Sequence, residues 1–413
     1  MREGAFIPDI PHVSVAEFGR DGVPTPYQLN DFWDQCRPWL ANEGVELYEL
    51  VVPKVAWRPK CWRTPVVHAP PAQLPFAVDT HALNTAPNEY NTMDRLAPAR
   101  DMFGRDLMLK LVDKDSAECA IFKGLLECSV FLDSQTFPCV LPPVRILDTP
   151  HGYVIVAMPM WGNPVYIEDL ATVREVMQFM ECILRGLTFL HNRRIAHRDI
   201  CDYNMVINRY RVDHDRDLLK EDLRQHRVGD EVFYALMDYD QSIQLPQECS
   251  LRNCRRPASE STFGAEIYRP EDCASGEPTY NPFAFDVAML GNVFRFHFSE
   301  VAPFAPSLVA LFDRMTTPNT EKRFTAQEAL QFFRDTTASL PGRTLDAHVV
   351  LKIGFAPMFD ADIYWSKLAP ESLAIYGVHR TPPPSWWTRV LDWMLSFSIG
   401  FRVIIPLRRI LHV

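Results

Sequence analysis

The balance of the chain shifts from strand-like to helical periodicity near residue 172, and that shift limits the fold more than any other feature of the sequence. Before it, apolar residues come in short runs bounded by turn residues. "RDLMLKLV" (105–112), "LPPVRILDT" and "HGYVIVAMPMW" read as strands, the last two joined by a turn at Pro150-His151-Gly152. After it, "TVREVMQFMECILRGLTFLHNRR" (172–194) has a 3.6-residue apolar period, and helical segments return from about 270 to about 340. Strands crowd the first half and helices the second. This predicts an α+β chain with a small sheet-rich lobe followed by a larger helical one. Two helices interrupt the strand-rich half. "PTPYQLNDFWDQCRPWLANEGVELYEL" (24–50) places Leu29, Phe32, Trp33, Cys36 and Leu40 on one face and stops at Gly44; "SAECAIFKGLLECSVFL" follows the first long strand.

The 413 residues, 47% hydrophobic, suffice for about two to three folding units of ~150 residues. Prolines number 34 and concentrate between Pro59 and Pro98, which reads as a mostly irregular connector. Net charge is −10 with no long basic run, which argues against general nucleic-acid binding. The ten cysteines are scattered without a C-x-x-C pair, and no histidine pair has zinc spacing. "MREGAFIPDIPHVSV" has charges and prolines where a signal peptide needs an apolar core. The expected compartment is intracellular, cytoplasmic or nuclear, and not secreted.

Within this frame "IAHRDICDYNMVIN" (195–208) sets a charged triplet, His197-Arg198-Asp199, between apolar residues, with Asn204 five positions after the acid. Alone, the triplet reads as a surface loop with a solvated ion pair. In phosphoryl transfer from ATP, protein groups mostly position and neutralise. Asp199 is then the candidate base for the attacking hydroxyl. Asn204 offers an amide oxygen to magnesium, which prefers hard oxygen ligands, and Val206 lies under the adenine. Lys110 sits alone in an apolar strand, either at a sheet edge facing water or over phosphate oxygens. Glu118 either caps a helix, since Asp115-Ser116-Ala117-Glu118 has capping-box spacing, or pairs with Lys110.

Further segments follow in order: "YALMDYDQS" with Asp238, "GAEIYRPED", "FAFDVAMLGNVF" with Asp286 and Gly291, and "TEKRFTAQEAL" with Arg323. Together these resemble the eukaryotic protein kinase superfamily: strand lysine in "LMLK", catalytic loop "HRDICDYN", "DYD" for D-F-G, "RPE" for A-P-E, and D-x-x-x-x-G. More narrowly, the chain is similar to divergent kinase-like proteins expanded in mushroom-forming fungi. The shared features are the "FW…PWL" helix, "GRD…K", "MPMW" and "RFTAQEAL".

The resemblance covers roughly residues 25–340 and implies a bilobal fold: an N-terminal extension and connector (1–89), a kinase-like domain (90–340, its lobes meeting near 160–161) and a C-terminal tail (341–413). It implies ATP and Mg2+ as cofactors and a protein substrate phosphorylated on serine or threonine. Lys110 would contact the phosphates and Glu118 would pair with it. Asp199 would be the base, Asn204 and Asp238 would bind magnesium, and Met158 to Met160 would line the hinge. Arg198 would hold a phosphorylated segment in which Ser259, Ser261 and Thr262 lie. Glu271 would pair with Arg323, and Asp286 would brace the catalytic loop.

The sequence departs from the pattern in places. No G-x-G-x-x-G precedes Lys110; the equivalent stretch, "APARDMFGRDLML", has one glycine, Gly104. Met108 stands where a small residue is usual, Glu118 follows Lys110 by only eight positions with Glu127 as the fallback, Cys201 replaces a lysine, and Asp240 replaces the D-F-G glycine. "RVDHDRDLLKEDLRQHR" (211–227) is a charged insertion expected to be a solvated helix. Two alternatives stay open: a pseudokinase serving as an interaction module, and a small-molecule phosphotransferase. The tail "PSWWTRVLDWMLSFSIGFRVIIPLRRILHV" (384–413) is too short in its uncharged run to span a bilayer. It is expected either to dock on the domain or to make a peripheral membrane contact.

Overall fold

The computed structural model describes residues 6–9, 26–52, 60–63, 65, 73–80, 89–90, 92, 95–162, 167–211, 216–226, 231–262, 264–274, 277–351, 360–383 and 393. The fold is mixed α and β. The chain forms two compact units: Met1–Asn163 with Val206–Ala235, and Pro164–Met205 with Leu236–Val413.

The first unit is built on strands. The expected helix stops at Gly44 as its sequence suggested: α1 (Pro26–Asn42) ends just before that residue, which has φ +74. A residue with positive φ costs least as glycine, so the chain turns there and enters β1 (Val45–Leu47). Then come β2 (Glu49–Val51), β3 (Cys61–Arg63), β4 (Val78–Asp79) and β5 (Glu89–Tyr90), short pieces of the proline-rich connector. The long strands are β6 (Leu96–Asp101), β7 (Asp106–Asp113), β8 (Arg145–Asp148) and β9 (Tyr153–Pro159). They form an antiparallel sheet in the order β1-β6-β7-β9-β8, with α2 (Ala117–Leu126) between β7 and β8. Leu107, Leu109 and Leu111 face a core shared with Phe32, Trp33, Cys36 and Leu40 of α1. Pro26–Asn42 and Val45–Leu47, within the span 1–89 expected to be an extension and connector, belong to the same core and sheet as Lys110.

The second unit is mostly helical. Its longest helix, α3 (Val173–Asn192), starts at a capping box in which Thr172 accepts from Glu175 N and the Glu175 carboxylate accepts from Thr172 N. After β10 (Ile195–Ala196) and β11 (Met205–Ile207), the chain returns to the first unit through β12 (Arg209–Tyr210), parallel to β4, and α4 (Arg216–His226). The first unit also takes in Val206–Ala235, so Val206 lies in it. The helix α4 is exposed as expected, apart from buried Leu223 and an ion pair between Asp222 and Arg209 at 3.1 Å. The second unit continues with α5 (Pro282–Phe298), α6 (Ser307–Thr316) and α7 (Ala326–Thr337). Gly291 lets α5 approach α6 closely, since a Cβ there would meet Thr316 Cγ2 at 2.7 Å. Trp365 closes this unit by donating Nε1–H to Asp313 at 2.8 Å.

Among the described residues, no helix is long and apolar enough to cross a membrane. Apart from Trp393, the aromatic tail from residue 384 lies outside the described residues.

Candidate functional site

In the first unit, Lys110 occupies the third strand of five, so it is not an edge lysine. Strand alternation points it away from the face that Leu109 and Leu111 give to the core, and it is 6% exposed. A buried ammonium needs a partner. Lys110 Nζ meets Glu118 Oε1 at 2.5 Å, and Glu118 is itself 4% exposed. Ser116, not Asp115, caps α2 by accepting from Cys119 N, which leaves the Glu118 carboxylate to the lysine. Glu127 ends the helix and is not needed as a substitute.

The stretch "APARDMFGRDLML" does not place a glycine near Lys110. It forms the β6–β7 hairpin, in which Lys110 pairs with Leu96 at one end while Gly104 makes the turn at the other. At ~3.3 Å per residue, Lys110 lies roughly 13 Å along the strand from the turn side of Asp106. Met158 sits on β9 opposite Met108. Met160 donates its backbone N–H to Asp106 O at 3.1 Å, and its side chain is packed in the core. Any contact from Met160 to a nucleotide would come from its backbone. Gly162 then passes so close to Arg209 that a Cβ would lie 2.3 Å from Arg209 O. Val206, on β11, is buried.

In the second unit the opening loop is held from several sides. Asp286, fully buried, accepts from His197 N and Arg198 N, each at 2.7 Å, and from His191 Nε2 at 3.0 Å. This is the expected brace. His197 contributes something the sequence did not suggest. Its Nε2 donates to Met237 O at 2.9 Å, while Nδ1 lies 3.3 Å from Asp199 N and accepts from it. The two bonds select the neutral tautomer. They also tie the loop to the residue before Asp238. Met237 N in turn donates to Asn204 O at 3.0 Å. The Asn204 amide nitrogen donates to Asp199 O and to Asp199 Oδ2, both at 2.9 Å, so its oxygen is the lobe left for a cation. Asp199 and Asn204 are thus joined directly, and Asp238 follows the residue, Met237, that is bonded to their loop.

Two of these residues are strained. Arg198 has φ 64 and Asp238 has φ 67, each costing roughly 1–2 kcal/mol for a residue with a side chain. Such strain persists where surrounding bonds over-determine the backbone. Arg198 has those bonds: its N–H on Asp286, its Nε on Gln241 O at 2.7 Å and its guanidinium on Glu260 at 3.0 Å.

Across the loop, Ala265 N donates to Asp199 Oδ1 at 2.9 Å. That approach requires Gly264, where φ is +82 and a Cβ would lie 2.5 Å from Arg198 O. Cys201, in place of a lysine, is buried, and burial pushes its thiol up to about 12, so it stays protonated.

One expectation changes, and two further residues show contacts the sequence did not suggest. Arg323 pairs with Asp272 at 2.5 Å, whereas Glu271 lies 3.6 Å from Arg295 and is largely exposed. Arg198 pairs with Glu260 at 3.0 Å. Asp106, read earlier only as part of "GRD", is a buried acceptor for Tyr48, Tyr210 and Arg100.

Among the described residues, no three His, Cys, Asp or Glu side chains cluster as a metal cage. A magnesium–nucleotide site does not need one, because that ion takes one or two protein oxygens and completes its shell with phosphates and water. Asn204 and Asp238 fit that donor set.

No protein-family model matches this chain, and no curated protein matches it.

Proposed function

We propose that the chain is a divergent member of the eukaryotic protein kinase superfamily, close to the kinase-like proteins expanded in mushroom-forming fungi, with a bilobal fold. In this reading it is an ATP- and magnesium-dependent kinase that transfers the γ-phosphoryl group to hydroxyls of a protein substrate. The observation that carries the reading is the hydrogen-bonded set around Asp199: an acid fixed by Asn204 and Ala265, and Asp238 tied to the same loop through His197 and Met237. The Lys110–Glu118 pair on a central strand adds to it.

In this mechanism Asp199 orients the substrate hydroxyl and takes its proton as the oxygen bonds to the γ-phosphorus and the bond to the β-phosphate oxygen breaks, releasing ADP; the base is worth roughly 10²–10⁴ in rate. Lys110, aimed by Glu118, meets phosphate oxygens. Asn204 and Asp238 would hold the magnesium ion, which when bound supplies positive charge to the phosphates.

A second reading, an interaction module without phosphoryl transfer, is favoured by one fact. No glycine occurs between Gly44 and Gly104, so the connection from β1 to β6 has none with which to wrap phosphates closely.

Thermal unfolding with Mg-ATP separates the two. Ligand at a hundredfold its Kd stabilises by about 2.7 kcal/mol, a clear rise in Tm. Asp238→Asn is expected to lose that rise and Asp199→Asn to keep it. No rise for the wild-type chain at millimolar Mg-ATP supports the interaction module.

A further inference from the structure

The segment that covers Asp199 is fixed by a charge of its own. Residues 258–262 form a 3-10 turn, and Glu260 lies in it. Its carboxylate takes Arg198 at 3.0 Å on Oε2, Arg256 Nε at 3.1 Å on the same oxygen, and Arg256 NH2 at 2.6 Å on Oε1. Arg198 is nearly buried and Glu260 mostly so, which makes these charge-assisted bonds stronger than surface pairs.

The neighbouring hydroxyls are used locally. Ser261 is buried and donates Oγ–H to Ala258 O, and Thr262 donates Oγ1–H to Ser259 O. Three and five residues past Ser259 and Glu260 respectively come Thr262 and Ala265, whose N–H reaches Asp199.

We propose that Glu260 is a positioning residue: a permanent anion that seats the segment on Arg198 and keeps Ala265 on Asp199, so that the site is ordered without phosphorylation. The proposal rests on the kinase reading for its effect on turnover, but the anchoring itself is independent of that reading. Glu260 touches neither substrate nor nucleotide; it acts through Arg198 at one end and Ala265 at the other. A phosphate added at Ser259 would have to compete for guanidinium groups already neutralised, and one at Ser261 would have to break its bond to Ala258.

The test uses the full chain, treated with phosphatase and shown by mass to carry no phosphate. Amide hydrogen exchange is followed over residues 258–269 in the wild type, Glu260→Gln and Glu260→Asp. Glu260→Gln is expected to exchange roughly 10- to 100-fold faster there, the fold-change that loss of a charge-assisted hydrogen bond corresponds to, with Glu260→Asp intermediate. In phosphoryl-transfer assays Glu260→Gln is expected to lower kcat while leaving KM for ATP unchanged. The phosphatase-treated wild type is expected to match the untreated chain in both measurements.

Unchanged exchange in Glu260→Gln overturns the proposal, as does faster exchange in the wild type after phosphatase treatment. Equal kcat for Glu260→Gln and wild type overturns its link to turnover. If Glu260→Gln fails to fold, Glu260→Asp carries the test: its carboxylate falls one methylene short of Arg198, and unaltered exchange in it is equally fatal. If the wild type transfers no phosphate yet exchange responds as expected, the kinase reading fails and the anchor stands.

Discussion

Two buried aspartates, one in each unit, solve the same problem with different donors. Asp106 accepts from the Tyr48 hydroxyl at 2.6 Å, the Tyr210 hydroxyl at 2.5 Å and Arg100 Nε at 2.5 Å. Asp286 accepts from two consecutive backbone N–H groups and from His191. The first gathers side chains from distant parts of the chain, tying the helix-and-strand start and the returning segment to the Lys110 strand. The second gathers the backbone of one loop and fixes its shape. Burial and the Asp106 carboxylate push the Tyr210 phenol well up, so it remains a donor at any ordinary pH. One aspartate therefore holds a unit together, and the other holds a conformation.

The difference is measurable. Asp106→Ala strands a buried guanidinium and two phenols, and is expected to cost about 3–5 kcal/mol in urea unfolding. A loss below about 1 kcal/mol would mean that the network is incidental. Asp286→Asn keeps volume but turns an amide N–H toward donors, so about 1–3 kcal/mol is expected. Its signature is local: faster amide exchange at His197 and Arg198, with the first unit unaffected. Uniform destabilisation across both units would erase the contrast.

Gly264→Ala probes the loop from its other side. The positive φ alone costs about 1–2 kcal/mol, and the contact with Arg198 O must also open. Phosphoryl transfer is expected to fall with it, as Ala265 leaves Asp199. Wild-type turnover in this variant would show that the Ala265 bond is dispensable.

A further effect concerns pH. Burial lowers His297 from its ordinary 6.5 to about 4, with Asp202 opposing the shift, and Tyr268 hydroxyl lies 3.1 Å from Nε2. The unfolded chain therefore takes up this proton first as pH falls. The contribution of neutral His297 is complete above about 6.5 and is lost as pH drops toward about 4. His297→Gln has no such proton. The stability gap between wild type and variant should narrow from pH 7.5 to 4.5, and a constant gap contradicts the assignment.

The two aspartates also show what a sequence reveals. Asp286 was legible because its offset to Gly291 is local and both serve one helix, α5. Asp106 was not, because its phenol donors lie 58 and 104 residues away and leave no periodic trace. The Glu271–Arg323 pairing failed for a related reason. Glu271 and Asp272 share a 3-10 turn, where one residue rotates a side chain by about 120°, and composition alone cannot choose between adjacent acids. The residues Asp199, Asn204 and Asp238 were all legible, but the histidine that ties them together was not. His197 reads as one more charge in a triplet until its two nitrogens are seen to face Met237 and Asp199.

The central claim is that Asp199 serves as a base in phosphoryl transfer, and its most direct test is label transfer. The full chain is incubated with γ-labelled ATP, magnesium and casein, beside Asp199→Asn, and the label on serine and threonine is counted. The account predicts transfer by the wild type and a loss of roughly 10²–10⁴-fold in the variant, with its Mg-ATP thermal shift retained. Equal transfer by both, or none by a wild-type chain that binds Mg-ATP, would contradict it.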